Sequence, residues 1–323
     1  MPANTKFALK MGVATRVAFG DALLELARRD DRIVVCDADI SKSTMTHKFH
    51  QEFPDRFFSC GIAEANMVAI GAGLAAAGKI AFVSSFSCFV LNKGFEQLRV
   101  TVAYPELKHF IVVGTHSGIS IGEDGPSQMS IEDMALTCAL PGFRVLAPAD
   151  EVAMRALVKE AAYHGNPVFL RAGRPKVPIV YENGGEFSIG GSNTLIDGSD
   201  VTLMACGLMV AEAIRAQELL EKDGISARVI DLYSVKPLDR ETIARAAEET
   251  GALVVAEEHL VDSGLGVRVA QVVSETAPAA MEFVGLTGYA ESGPGGGLLD
   301  KYGLRAGNIA AAARRAVERK RVG

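Results

Sequence analysis

Short apolar, β-branched runs recur along the first half of the chain, with helically patterned stretches between them. The runs predict strands at Arg32–Asp37, Ile80–Val83, His109–Gly114, Phe143–Leu146 and Pro167–Arg171. The stretches predict helices over Val13–Arg29, Ala63–Ala77, Gly94–Ala103, Ile131–Cys138 and Asp150–His164. Strand–helix alternation of this kind requires a parallel sheet covered on both faces. From Arg174 to Asp200 the pattern breaks into Gly, Pro, Ser and Asn, which reads as a linker and a small irregular region. A second alternating unit follows, with strands at Val201–Cys206, Ala227–Leu232, Leu253–Glu257 and Glu282–Leu286. The fold class is α/β, as two doubly wound domains: 1–175, a linker 176–192, and 193–323.

A chain of 323 residues can build two such cores, and 49% hydrophobic with 22% charged residues is ordinary for a soluble globular protein. The net charge is −6, and the one basic run, Arg314, Arg315 and Arg319-Lys320-Arg321, reads as a solvated helix end. Nucleic acid and anionic membrane are therefore poor partners. Met67 to Leu91 carries a single charge, Lys79, but Gly78-Lys79 cuts it into pieces too short to cross a bilayer. Met1 to Gly20 lacks the continuous apolar stretch of a secretory signal. The five cysteines have no CxxC spacing and read as buried free thiols, which points to a reducing compartment, the cytoplasm.

Glu64 opens the Ala- and Gly-rich helix, and Phe82, Phe86 and Phe89 follow on the far side of a strand. A carboxylate beside aromatic faces suits a flat, basic heteroaromatic ring: the acid shares a proton with a ring nitrogen and the aromatics stack on its face. The helix dipole favours the ionised acid and burial the neutral one, so such a Glu can titrate near neutrality. On spacing alone the plainer readings stand beside this one, a dipole-satisfying acid and a core aromatic cluster. His116 to Gln128 follows a strand end and holds a His, two acids and two Gly-containing turns, more than a connector needs. Arg171 and Arg174 also follow a strand end, where each suits bidentate phosphate binding or surface ion pairing. His47, His50, His109 and His164 have no metal-ligand spacing, there is no Walker A or GxGxxG sequence, and Gly293-Pro294-Gly295-Gly296-Gly297 reads as a flexible loop.

Ala14-Thr15-Arg16, Asp37-Ala38-Asp39-Ile40-Ser41-Lys42-Ser43-Thr44 and Phe53-Pro54-Asp55-Arg56-Phe57-Phe58 stand in order before Gly61-Ile62-Ala63-Glu64. The Phe86/Phe89 pair and Gly122-Glu123-Asp124-Gly125-Pro126 follow, and then Asp231-Leu232-Tyr233-Ser234-Val235-Lys236-Pro237-Leu238-Asp239 and Glu257-Glu258-His259. At these distances the chain resembles, over nearly its whole length, the C-terminal half of transketolase in the form split into two polypeptides. The resemblance implies a pyrimidine-binding domain followed by a transketolase C-terminal domain, and two-carbon ketol transfer between sugar phosphates with thiamine diphosphate. It implies that Glu64 contacts the aminopyrimidine ring nitrogen, that Phe86 and Phe89 pack on that ring, and that Asp39 joins them in holding the cofactor. Asp124 would bind a substrate hydroxyl, and Arg16, Ser43, His116 and Arg171 the sugar phosphate; Glu64 and His116 would be the catalytic residues.

Two departures matter. Gln128 stands where the family pattern has a His that polarises the carbonyl, and Gln can donate a hydrogen bond at that substrate position but cannot become cationic. The Gly-Asp-Gly motif that leads to the Mg²⁺ and diphosphate site is absent. The resemblance therefore implies half an active site, completed by an N-terminal transketolase subunit that ligates most of the Mg²⁺, in a heterotetramer with cofactor at the interfaces. Deoxyxylulose-phosphate synthesis, 2-oxoacid decarboxylation and a non-catalytic scaffold remain as alternatives; Glu123-Asp124-Gly125-Pro126 argues against a 2-oxoacid dehydrogenase β subunit.

Overall fold

The computed structural model describes residues 9–182 and 184–322. The first eight residues of Met1–Gly20 and the Arg321 side chain of the basic tail lie outside what is described. The first half runs β1 (Met11–Ala14), α1 (Thr15–Ala27), β2 (Ile33–Asp37), α2 (Ser41–Thr44), α3 (His47–Glu52), β3 (Phe57–Ser59), α4 (Glu64–Ala76), β4 (Ile80–Phe86) and α5 (Ser87–Gln97). It continues through β5 (Phe110–Thr115), α6 (Asp133–Ala139), β6 (Arg144–Leu146), α7 (Glu151–Tyr163), β7 (Val168–Arg171) and β8 (Lys176–Pro178). The second half runs β9 (Asn193–Ile196), β10 (Val201–Ala205), α8 (Met209–Lys222), β11 (Ala227–Asp231), β12 (Ser234–Lys236), α9 (Arg240–Thr250) and β13 (Ala252–Leu260). It ends with α10 (Leu265–Thr276), β14 (Ala280–Leu286), α11 (Gly295–Lys301) and α12 (Ala306–Val322).

The first sheet has the strand order β12-β6-β7-β5-β4-β2-β3 and the second β14-β13-β10-β11-β9. Both are parallel except at one edge, where β12 and β9 run antiparallel to their neighbours. Every residue of β2, β4, β5 and β7 is buried, because helices cover both faces. On one face α1 and α7 place Phe19, Leu23, Leu157 and Val158 over Ile33, Phe82 and Ile111. On the other, α4 and α5 place Met67, Val68, Val90 and Leu91 over Val34, Val83 and Phe110, and this core continues into Met204, Ile230 and Ile243 of the second half. Each such Leu, Val or Phe contributes about 1.5–3 kcal/mol by leaving water. Asp150 caps α7 by accepting from the N–H groups of Val152 (3.0 Å) and Ala153 (2.9 Å). Its other oxygen accepts from Val180 N (2.8 Å) and Tyr181 N (3.0 Å), which ties the segment after β8 to the helix start.

The structure adds α2, α3, β3 and β9, which the sequence reading did not place, and departs from that reading at three further points. Helix α5 starts at Ser87, seven residues before the Gly94 expected from its pattern, and passes into a π-helical turn at Leu98–Ala103. Apolar Cys88, Val90 and Leu91, buried in the cores, carry that first turn, not a polar–apolar alternation. Ser234–Lys236, in the second half of the sequence, crosses over to pair with β6 of the first sheet. Residues 176–178 of the expected linker, and Val13 of the expected first helix, lie in an antiparallel β1–β8 ribbon. No helix among the described residues is long and apolar enough to cross a membrane.

Candidate active site

The parallel strands of the first sheet end at one rim, the place where open α/β sheets bind ligands. Glu64 stands there as the first residue of α4, and only 3% of it is exposed. Its carboxylate accepts from Ser85 Oγ at 3.5 Å and lies 3.5 Å from Lys93 Nζ. Phe86 ends β4 and Phe89 sits in the first turn of α5; their rings stack with centroids 5.4 Å apart and 12° between planes. His116, just past β5, stacks on Phe86 at 3.8 Å. Lys93, one turn beyond Phe89, holds its ammonium 4.6 Å from the centre of that ring. The row His116, Phe86, Phe89, Lys93 thus lies beside a buried acid. Phe82 is not part of it: fully buried, it packs on Phe19 at 6.4 Å in the opposite core.

A second group of side chains carries positive charge. Arg16, in the first turn of α1, donates from Nη1 to the Ser43 carbonyl at 2.5 Å, and its buried Nε has no partner. Thr15 Oγ1 accepts from Gly173 N at 2.7 Å, which pins the segment after β7 to the start of α1 and brings Arg174 beside Arg16. Burial, and then the charge of Arg174, holds the Arg16 guanidinium below its ordinary pKa. Burial, followed by Arg16 and Arg174, pushes His116 down to about 3, so its imidazole is neutral at physiological pH. His116 also has a left-handed backbone (φ 59°), a strained conformation of the sort that gathers at ligand sites. Arg174 donates to the Ile121 carbonyl and pairs with Glu123 at 3.2 Å and Asp124 at 3.9 Å. A cleft of about 470 Å³ opens next to Arg16 and Arg174 and reaches Leu208, Arg215 and Arg305 of the second half.

Arg171 requires a correction. It is buried, with Nε bonded to Asp133 at 2.9 and 3.1 Å and Nη2 bonded to the carbonyls of Ser130 (3.3 Å) and Glu258 (2.9 Å). These partners take its Nε and Nη2, and the arginine set beside Arg16 and His116 is Arg174. Asp124 is exposed, and Ser43 reaches Arg16 through its backbone oxygen. Gln128 is half-buried; its carbonyl accepts from the Cys88 thiol at 3.2 Å, which fixes the loop against α5 two residues past Phe86. Asp39 is exposed in a left-handed turn (φ 65°). The turn is built by buried Asp37, which accepts from Ile40 N (2.8 Å) and the hydroxyls of Thr44 (2.7 Å) and Thr46 (2.9 Å). Sequence reasoning missed Asp37, Ser85 and Lys93. Two threonines shortly after Asp37 were a signal for the first; nothing local marked the other two.

The acid and the aromatic row fit the ring of a thiamine-type cofactor. For its diphosphate end, no group of three His, Cys, Asp or Glu side chains arranged to hold a metal occurs among the described residues.

Residues 11–179 match the family model of the transketolase pyrimidine binding domain, and residues 190–309 that of the transketolase C-terminal domain. The chain is 40% identical to a putative transketolase C-terminal section of Methanocaldococcus jannaschii, over 91% of this chain and 93% of that protein. It is 40% identical to a 6-deoxy-6-sulfo-D-fructose transketolase subunit of a Clostridium species, over 94% of this chain and 95% of that one. Among solved structures it resembles a split gene transketolase described as an inactive beta4 tetramer, with a TM-score of 0.87 and 44% identity over 96% of this chain and 99% of that chain. With both domain models matched in order, and relatives described as a C-terminal section and a subunit matched over more than nine-tenths of their length, the chain belongs to the transketolase family, as the C-terminal subunit of the split, ketol-transferring form.

Proposed function

We propose that this subunit supplies the cofactor-ring end and the substrate-anion end of an active site that moves a two-carbon ketol unit between sugar phosphates. The observation that carries the reading is the buried Glu64 carboxylate beside the Phe86–Phe89 stack, joined through His116 to the Arg16–Arg174 pair. Thiamine diphosphate, when bound, supplies the nucleophilic carbon that breaks and remakes the carbon–carbon bond. Glu64 holds a proton at the aminopyrimidine nitrogen, with Ser85 steadying its carboxylate. The Phe86–Phe89 pair packs against the ring, each aromatic contact contributing about 0.5–1.5 kcal/mol. Arg16 and Arg174 repel one another, and a phosphate dianion placed between them removes that cost while taking charge-assisted hydrogen bonds. Neutral His116 hydrogen-bonds a substrate oxygen, and Asp124 accepts from a sugar hydroxyl. Gln128 donates one hydrogen bond near the carbonyl without bringing charge, so polarisation there is weaker than with a cationic His. Asp39 lies at the cofactor rim. The diphosphate and Mg²⁺ belong to an N-terminal partner subunit in a heterotetramer, a reading supported by relatives described as sections and subunits. Buried free Cys36, Cys88 and Cys206 support a cytoplasmic setting.

The Clostridium relative named for a sulfonated sugar favours a second substrate class, with a sulfonate at the Arg16–Arg174 pair. The test is ketol transfer from xylulose 5-phosphate to ribose 5-phosphate. The chain is assayed alone, then with its co-purifying partner, thiamine diphosphate and Mg²⁺, with a sulfonated ketose as a parallel donor. Activity in the complex alone, reduced at least about 100-fold in Glu64→Ala, is the expected result. A fully loaded complex inert toward both donors would overturn ketol transfer and leave the scaffold reading.

A further inference from the structure

The second domain takes no part in the chemistry above, yet one of its acids reaches into the substrate loop. We infer that Glu258, on β13, is a positioning residue for the loop His116–Glu132. The inference rests on the reading that this loop meets the substrate.

The loop leaves β5 at His116 and enters α6 at Asp133, carrying Asp124 and Gln128. Its neck is closed by Gly118 N, which donates to the Ser130 carbonyl at 2.7 Å. Just inside the neck, Ser120 N donates to Glu258 Oε1 at 2.5 Å. The fit is close: a Cβ on Gly118 would collide with the Glu258 carboxyl, so the loop backbone lies directly on this acid. The backbone of the same strand holds the far side of the neck. The Glu258 carbonyl accepts from Arg171, which also grips Ser130, and Leu260 N donates to the Ile131 carbonyl at 3.0 Å. Farther out, Ser292 Oγ donates to the Glu123 carbonyl at 2.5 Å, beside Asp124.

Ser120 is in a turn with no strand partner, and its buried N–H requires an acceptor. Glu258 is the group that provides one, from across the domain boundary and from a position only 3% exposed. Its hydrogen bonds go to Ser120 and Arg171 and not to Glu64, Phe86 or Phe89, which lie on α4, β4 and α5. Its loss should therefore disturb the substrate end of the site and spare the ring end.

The test uses the assembled complex with partner, thiamine diphosphate and Mg²⁺. Glu258→Ala is expected to raise KM for the phosphorylated donor about ten-fold, the effect of one lost buried hydrogen bond, with cofactor Kd changed less than about two-fold. Hydrogen exchange at the Ser120 amide should speed up in parallel. Glu258→Gln, whose amide oxygen still accepts, should restore both. Where Glu258→Ala does not assemble, Glu258→Asp draws the acceptor back by one methylene and should raise KM in the same direction. An unchanged KM in Glu258→Ala, or in Glu258→Asp where Glu258→Ala does not assemble, or KM and cofactor Kd rising together, would overturn the inference. Arg174→Ala serves as the control: if it too leaves KM unchanged, the substrate reading itself fails; if it raises KM while the Glu258 variants do not, only the role of Glu258 fails.

Discussion

Lys93 holds its ammonium between the Glu64 carboxylate and the face of Phe89, where a cofactor ring would need both. A group occupying the site in the free protein lowers apparent affinity by the fraction of time it is there. Lys93→Met should therefore tighten thiamine diphosphate binding to the complex about 2–5-fold, read by fluorescence titration. Weaker binding would mean that Lys93 stays and contacts the cofactor. The two arginines after β7 make a second contrast. Arg171 pairs with Asp133 inside the protein, and Asp133, where burial pushes the pKa up but the Arg171 guanidinium pulls it further down, stays ionised. Arg171→Ala leaves that charge alone and should cost about 3–5 kcal/mol in urea unfolding. Arg174→Ala should cost little stability and act on KM. The sequence placed both arginines at a strand end, three residues apart, and had no means to separate them. Asp133, 38 residues away, decides which one is consumed in the structure. Glu64 was legible because an acid at a helix start beside aromatics is a local pattern; Lys93 was not, because its role depends on a carboxylate from another helix.

At the scale of elements, legibility follows burial. The central strands were readable because covered parallel strands are apolar throughout, and α4 because Ala and Gly pack a helix close to a sheet. That closeness is tested at Gly71, where an added Cβ would collide with Val83 and press Phe110 at 3.1 Å. Gly71→Ala should push α4 off the sheet, cost about 1–3 kcal/mol by thermal melting, and weaken cofactor binding because Glu64 begins that helix. A variant with a normal melting temperature and normal cofactor affinity would show that α4 has room to shift. The elements that escaped the sequence are short and held by distant partners: β12 by β6 across the domain boundary, β1 and β8 by each other. The early start of α5 escaped for a related reason, since its first turn is apolar on the sides facing two different cores.

At the scale of the whole molecule, the two halves meet over acids whose pKa burial raises toward neutrality. Burial pushes Glu257 and Glu258 up to about 7, and Asp231 up to about 8. Asp231 accepts from the Tyr181 hydroxyl at 2.7 Å, while its other oxygen has no partner, the arrangement of a carboxyl that keeps its proton. A carboxyl whose folded pKa lies above its unfolded value binds its proton more tightly in the fold. Its contribution is therefore complete below the ordinary carboxyl range near 4 and is lost as pH rises through 7 to 8. Two acids sit on β13 and the third closes β11, just before the crossing to β12, so the loss falls on the seam between the domains. Melting temperature should decline from about pH 5 to about pH 8 and level off above that, and the domain seam should lose amide-exchange protection over the same window once the intrinsic rise of exchange with pH is removed. Asp231→Asn keeps an acceptor for Tyr181 but has no proton to lose, and should flatten the decline. Stability that rises across this window would show that these acids are ionised in the fold and that other groups neutralise the seam. If the decline appears, KM for the donor should climb with it, because the strand that carries two of these acids also holds the substrate loop at Ser120 and Ile131.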